Sequence, residues 1–150
     1  MLIHIPKTGG TSLILAGVPG GHHVEYKGQG KYMVILREPV SRTISHYAEQ
    51  LKEPLKIWFQ RYHMENFQTN WLRKKLHVNT LGEIKSILKK DFTILTTNTL
   101  TEQMKKLGIN IEKRNIGRGY IPTKEEISFI EERSGEDIEL YQWVCDHISV

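Results

Sequence analysis

The feature that most constrains this chain lies at its start. The apolar run Met1-Leu2-Ile3-His4-Ile5 stops at Pro6, gives way to Lys7-Thr8-Gly9-Gly10-Thr11-Ser12, and passes into the helix-forming Leu13-Ile14-Leu15-Ala16. An apolar run, a glycine turn and a helical segment in that order predict strand, loop and helix. Such a loop turns successive backbone N–H groups, backed by the positive end of a helix, toward whatever sits above it, which makes a cradle for phosphate-like anions. Gly9 and Gly10 let the backbone approach ligand oxygens, Thr8, Thr11 and Ser12 bring hydroxyls, and Lys7 brings a charge. A glycine turn beside a surface lysine has the same local composition, so the loop alone does not decide function.

The rest of the chain supplies the partners such a loop needs. Tyr32-Met33-Val34-Ile35-Leu36 and Phe92-Thr93-Ile94-Leu95-Thr96 are continuous apolar runs of the kind found in strands buried on both faces. The first ends at Arg37-Glu38-Pro39, where Pro39 opens a helix at its first turn, and Val40, Ile44, Tyr47, Ala48 and Leu51 form its apolar stripe. That stripe leaves Ser41, Arg42 and Ser45 off the buried face. Residues 54–76 read as helical and rich in aromatic and basic side chains. Three capping boxes, Thr80 with Glu83, Thr99 with Glu102 and Thr123 with Glu126, predict helix starts, and Gly108 marks a helix end. Residues 22–26 read as a short strand or extended loop, and residues 135–148 as a helix docking through Ile138, Tyr141, Trp143 and Val144. Strands alternating with helices over 150 residues, 39% of them hydrophobic, predict one α/β domain, three-layered, with a central and mainly parallel sheet.

Charge and composition narrow the classes. The formal net charge of +4 suits an anionic ligand, but the basic residues are dispersed and no recognition motif accompanies them, so nucleic acid is not an expected partner. The single Cys145 excludes an internal disulfide framework, and no His, Cys, Asp or Glu cluster has metal-site spacing, so no metal is expected. No apolar run approaches membrane-spanning length and residues 1–5 lack a signal-peptide pattern, so no membrane partner is expected and the reading is a cytoplasmic protein or a fragment trimmed of its targeting segment.

In the nucleotide-triphosphatase loop the glycines precede a Lys-Ser/Thr pair, whereas here Lys7 precedes the glycines. The string His4-Ile5-Pro6-Lys7-Thr8-Gly9-Gly10-Thr11-Ser12 instead resembles the 5'-phosphosulfate loop of sulfotransferases that use 3'-phosphoadenosine-5'-phosphosulfate (PAPS), especially the glycan-modifying branch. Leu36-Arg37-Glu38-Pro39-Val40-Ser41-Arg42-Thr43-Ile44-Ser45 resembles the family's 3'-phosphate motif. The resemblance implies the P-loop nucleoside-kinase-like sulfotransferase fold, PAPS as donor and adenosine 3',5'-bisphosphate (PAP) as product. It implies Lys7, Thr8, Gly9, Gly10, Thr11 and Ser12 on the phosphosulfate, and Arg37 and Ser45 on the 3'-phosphate. Arg42 stands at the family's second arginine position, either as a ligand or as a support for the helix. Gln68-Thr69-Asn70 resembles the family's Gln-Thr-Arg segment with Asn70 in place of arginine, and Asp137-Ile138-Glu139-Leu140-Tyr141 is also similar to a family pattern. Arg114-Asn115-Ile116-Gly117-Arg118-Gly119 lies where the family wraps a basic loop over the nucleotide, with Arg118 and Gly119 as contacts. The chain is short for the family, and the difference is expected to lie in acceptor-binding insertions.

Sulfuryl transfer to a hydroxyl requires an electrophile at the leaving phosphate oxygen and a base for the acceptor proton. Lys7 suits the first role. For the second, His22 and His23 are both candidates because histidine titrates near neutrality, and His23-Val24 resembles the His-Val pair of the glycan 2-O-sulfotransferases; His22 is also a candidate substrate contact, and Glu25, His46 and His63 are further options. Arg61 and Arg73, in the aromatic and basic segment, are candidate contacts to an acceptor hydroxyl compound such as an anionic glycan. The acid pairs Glu125-Glu126 and Glu131-Glu132 read as solvated helix faces. The competing readings are a small nucleotide or metabolite kinase and a non-catalytic module that binds nucleotide or polysaccharide.

Overall fold

The computed structural model describes residues 1–109 and 119–147. Four strands, β1 (Leu2–Ile3), β2 (Gly20–Gly21), β3 (Tyr32–Leu36) and β4 (Phe92–Thr96), form an all-parallel sheet in the order β2-β1-β3-β4. Among the described residues eight α-helices accompany it: α1 (Gly10–Leu15), α2 (Pro39–Tyr47), α3 (Leu55–Arg61), α4 (Phe67–Leu76), α5 (Leu81–Asp91), α6 (Leu100–Lys106), α7 (Lys124–Glu132) and α8 (Gly135–Asp146).

The apolar runs become central strands because both faces of the sheet are covered. Ile3, Val34, Leu36 and Ile94 point into one cluster with Leu72, Ile84, Leu88 and Leu140, carried by α4, α5 and α8. Leu2, Ile35 and Leu95 alternate to the other face, against Leu13 of α1 and Leu100 and Met104 of α6. β3 and β4 run in register from Tyr32 against Phe92 to Leu36 against Thr96. A third cluster, including Tyr47, Trp58, Phe59, Phe129 and Ile130, joins α2, α3 and α7.

β1 lies between β2 and β3, so the chain leaves β1 toward one edge of the sheet and leaves β3 toward the other. The crevice above the carboxyl ends of β1 and β3 is therefore a topological switch point, the place where open parallel sheets hold ligands. The glycine loop and Arg37 are the segments that emerge there.

Several sequence expectations need correction. Residues 54–76 are two helices, α3 and α4, separated by a turn in which His63 (φ 53°) and Asn66 (φ 46°) take left-handed conformations. The capping boxes at Thr80 and Thr123 form, but Thr99 makes none: its hydroxyl bonds Gln103 Oε1 at 2.6 Å and Thr96 Oγ1 at 2.5 Å instead, although the helix does begin at Leu100. Gly108 ends α6 in a Schellman arrangement, with Ile109 N donating to Met104 O and Gly108 N to Lys105 O. The edge strand is Gly20–Gly21, and of the two readings of residues 22–26 the loop is the one found. α2 ends at Tyr47, so Leu51, expected on its apolar stripe, lies beyond the helix and is half exposed, whereas Arg42 is 1% exposed, because its guanidinium finds partners in Pro6 O and Met64 Sδ. In α8 the buried line is Asp137, Leu140 and Val144, with Ile138, Tyr141 and Trp143 only partly covered; residue 148, expected in this helix, lies outside the described residues.

One tertiary device fixes α4 against α8. The Asn66 side chain does not cap its own helix; its Oδ1 accepts from Glu136 N at 3.0 Å and Asp137 N at 3.2 Å, at the start of α8. Asp137 returns the favour to α4, accepting from Gln68 N at 3.1 Å, Thr69 N at 2.8 Å and Thr69 Oγ1 at 2.7 Å. Each helix start is thus satisfied by a side chain of the other.

Candidate active site

The loop after β1 is held by its carbonyls. Four consecutive ones accept from side chains: Ile5 O from Thr8 Oγ1 at 2.7 Å, Pro6 O from Arg42 Nη1 at 2.9 Å, Lys7 O from Arg37 Nη1 at 3.3 Å, and Thr8 O from Thr97 Oγ1. These donors come from the loop itself, from α2, from the end of β3 and from the turn after β4. Gly9 (φ 100°) ends the loop in a left-handed conformation at the start of α1. Gly10 packs closely under His4: a Cβ there would lie 2.2 Å from the His4 ring, so a larger residue would have to displace it. Carbonyls committed to the protein interior leave a backbone whose polar capacity toward a ligand is its N–H groups. α1 has only six residues, so its dipole adds little and the positive field rests on side chains.

Those side chains are Lys7, Arg37 and Arg42. Lys7 sits at φ 67° and its ammonium is ion-paired with Glu49. Burial, then the charges of Arg42 and Arg37, pull its pKa below the usual lysine value. The Arg37 guanidinium is braced by Ser41 Oγ, which accepts from Nε at 3.0 Å, while Gln68 grips the Arg37 backbone, its Oε1 accepting from Arg37 N at 3.0 Å and its Nε2 donating to Arg37 O at 2.7 Å. Arg42 lies 3.8 Å above the Phe67 ring, and its Nη2 meets His46 Nδ1 at 3.3 Å. Burial lowers the Arg42 pKa to about 9, opposed by the charge of Asp137, so it stays cationic at neutral pH. His46 is lowered to about 4 by burial and then by Arg42 and Lys7; it is a neutral ring accepting from Arg42.

Arg37, Ser41, Ser45, Ala48, Gly119 and Tyr120 share a cleft of about 360 Å³. The structure therefore brings together three residues expected to share a ligand, Arg37, Ser45 and Gly119; Arg118, expected beside them, lies outside the described residues together with residues 114–117. Thr11 is exposed and Ser12 partly so, whereas Thr8 is fully buried with its hydroxyl spent on Ile5, which leaves Thr8 only its backbone for a ligand.

The histidines divide. The His22 ring lies 4.1 Å from that of His4, which rests on Gly10, and meets Trp71 edge-on at 5.9 Å. Burial, then Lys75 and His23, keep the His22 pKa below its ordinary value. His23 is exposed, its ring beside Gly21. His63 borders a separate cavity near Asn66 and Arg133. Arg61 and Arg73 are taken by carboxylates: Arg61 pairs with Glu53 at 3.2 Å, and Arg73 grips Glu136 as well as Asn70 Oδ1 and Asn79 O. Among the described residues no helix is long and apolar enough to cross a membrane, and no group of three His, Cys, Asp or Glu is placed to hold a metal ion.

Sequence reasoning assigned the loop, Arg37 and Ser45 and singled out Gln68 without its role beneath Arg37, but missed the supports Thr97, Ser41 and Glu49. Thr97 follows a strand end and Ser41 lies four residues after Arg37, signals that were available; Gln68 and Glu49 depend on tertiary approach. Comparison of the chain with family models, with curated proteins and with solved structures found no match.

Proposed function

We propose that this chain is a PAPS-dependent sulfotransferase, with the P-loop nucleoside-kinase-like fold of that family, moving a sulfuryl group to the hydroxyl of an acceptor such as an anionic glycan. The observation that carries the reading is the bond from Arg37 to Lys7 O at 3.3 Å, across the switch point between β1 and β3. A ligand with one anionic group over residues 6–12 and a second beside Arg37 and Ser45 matches two sites joined in this way. PAPS, with its 5'-phosphosulfate and 3'-phosphate, is such a ligand.

The residues then take the following roles. The loop N–H groups and Lys7 hold the phosphosulfate, and the ammonium follows negative charge onto the bridging oxygen as the S–O bond breaks. Arg37, pre-oriented by Ser41, and Ser45 hold the 3'-phosphate, with Gly119 closing the same cleft. Arg42 acts through the loop by fixing Pro6 O. The acceptor proton passes to the His22–His23 pair as the acceptor oxygen bonds to sulfur and the bisphosphate leaves. His23 carries the sequence match, and His22 reaches the loop through His4, with a depressed pKa that leaves its ring free to take a proton. No step draws on a metal. Incubation with PAPS and a panel of hydroxyl compounds, following release of PAP, tests the reading: Lys7→Ala should abolish release, and release at the wild-type rate would refute it.

A further inference from the structure

We propose that Glu49 is an internal competitor for the anion site at Lys7, which a phosphate-bearing ligand must displace; this rests on reading residues 6–12 as an anion loop. Glu49 follows the C-terminal end of α2, the negative end of the helix, where a carboxylate is disfavoured unless a cation faces it. The cation it faces is Lys7. The other carboxylates near the cluster have different commitments. Glu38 caps α2 through Val40 N and Ser41 N, and Asp137 caps α4 through Gln68 N and Thr69 N. Glu49 is thus the carboxylate that occupies the ammonium.

Its position permits release. The Glu49 side chain is 42% exposed and that of Lys7 25%, and Glu49 lies in a turn whose backbone bonds, Glu49 N to His46 O and Gln50 N to Tyr47 O, do not involve the carboxylate. Water can take the carboxylate with the turn intact. A ligand that spans Lys7 and Arg37 with two or more charges gains more than the single carboxylate gives, and the exchange sets its apparent affinity by competition.

The experiment titrates the wild-type chain, Glu49→Gln, Glu49→Ala and the double variant Lys7→Gln/Glu49→Gln with inorganic pyrophosphate and with PAP, after thermal unfolding has shown each variant folded. Both single variants should bind pyrophosphate roughly two- to fivefold more tightly than wild type, the range set by a partly exposed ion pair. The gain should vanish in the double variant. A mere structural support would not tighten binding when removed. Unchanged or weaker pyrophosphate binding by the two single variants, or no pyrophosphate binding by any protein, overturns the proposal. If wild type binds PAP while neither single variant gains, the donor reading stands and the competitor falls. If the single variants gain for pyrophosphate while no protein binds PAP, the competitor stands and the donor reading falls.

Discussion

Arg37, the residue that follows β3, donates from Nη1 to the carbonyl of Lys7, the residue that opens the glycine loop after β1. Two segments thirty residues apart in sequence are one unit at the switch point. Removing the guanidinium should therefore do two things. Arg37→Ala should weaken PAP far more than adenosine 5'-phosphate, because the 3'-phosphate loses its partner, roughly tenfold or more by the worth of a charge-assisted bond. It should also loosen residues 6–12, seen as faster amide exchange there. Calorimetry with the two nucleotides and hydrogen exchange check both parts.

The contact between Gly10 and His4 predicts a paired result. Gly10→Ala places a methyl group against the imidazole and should destabilise the chain by about 1–3 kcal/mol, the usual cost of overpacking. Adding His4→Ala should recover part of that loss, because the second change removes the obstacle. Denaturant unfolding of the two single variants and the double variant measures the coupling.

The exchanged caps predict unequal losses. Asn66→Ala should cost about 1 kcal/mol, as other N-cap losses do. Asp137→Ala should cost more, about 2–3 kcal/mol, because it leaves Gln68 N, Thr69 N and Thr69 Oγ1 without their acceptor in a buried setting. Since Gln68 grips Arg37, the Asp137 variant should also weaken PAP binding, while Asn66→Ala should not.

Stability should fall in mild acid. His4 and His46 have pKa values near 4 in the folded chain, below the ordinary histidine value of about 6.5, so the unfolded state binds more protons between those limits. Their contribution is fully present above about pH 6.5 and is lost as the pH falls toward 4. Thermal midpoints measured across that window should drop, and His46→Gln should make the slope shallower.

The histidine pair is separable by activity. His22→Ala and His23→Ala should leave PAP affinity near wild type, while the one that takes the proton should lower kcat by about a hundredfold or more. Steady-state kinetics with PAPS, at pH values on either side of neutrality, assigns the role; full activity in both variants would exclude the pair.

How much of this was legible depends on the range of the forces involved. β3 and β4 are read directly from their apolar runs, since a strand covered on both faces needs no polar alternation. The caps at Thr80 and Thr123 are legible because both partners lie within three residues. Thr99 has the same spelling and fails, because Gln103 and Thr96 compete for its hydroxyl. Arg42 falls off the apolar stripe of α2 by periodicity, and is buried because Pro6 and Phe67 converge on it from two other places in the chain while His46 meets it from the next turn of its own helix. The loop and Arg37 could be singled out from sequence, but the carbonyl pinning by Arg42 and Thr97 and the occupation of Lys7 by Glu49 are tertiary facts. Arg61 and Arg73 were singled out by residue type alone, and their pairing with Glu53 and Glu136 is likewise a tertiary fact.

The central claim is that one ligand carries an anionic group to the loop of Lys7 and a 3'-phosphate to Arg37 and Ser45. Calorimetric titration of the purified chain with PAP, beside ADP with and without magnesium, tests it most directly. The account predicts clear binding of PAP, weak binding of ADP irrespective of magnesium, and loss of the difference in Arg37→Ala. Preference for ADP with magnesium, or binding of neither nucleotide, would contradict it.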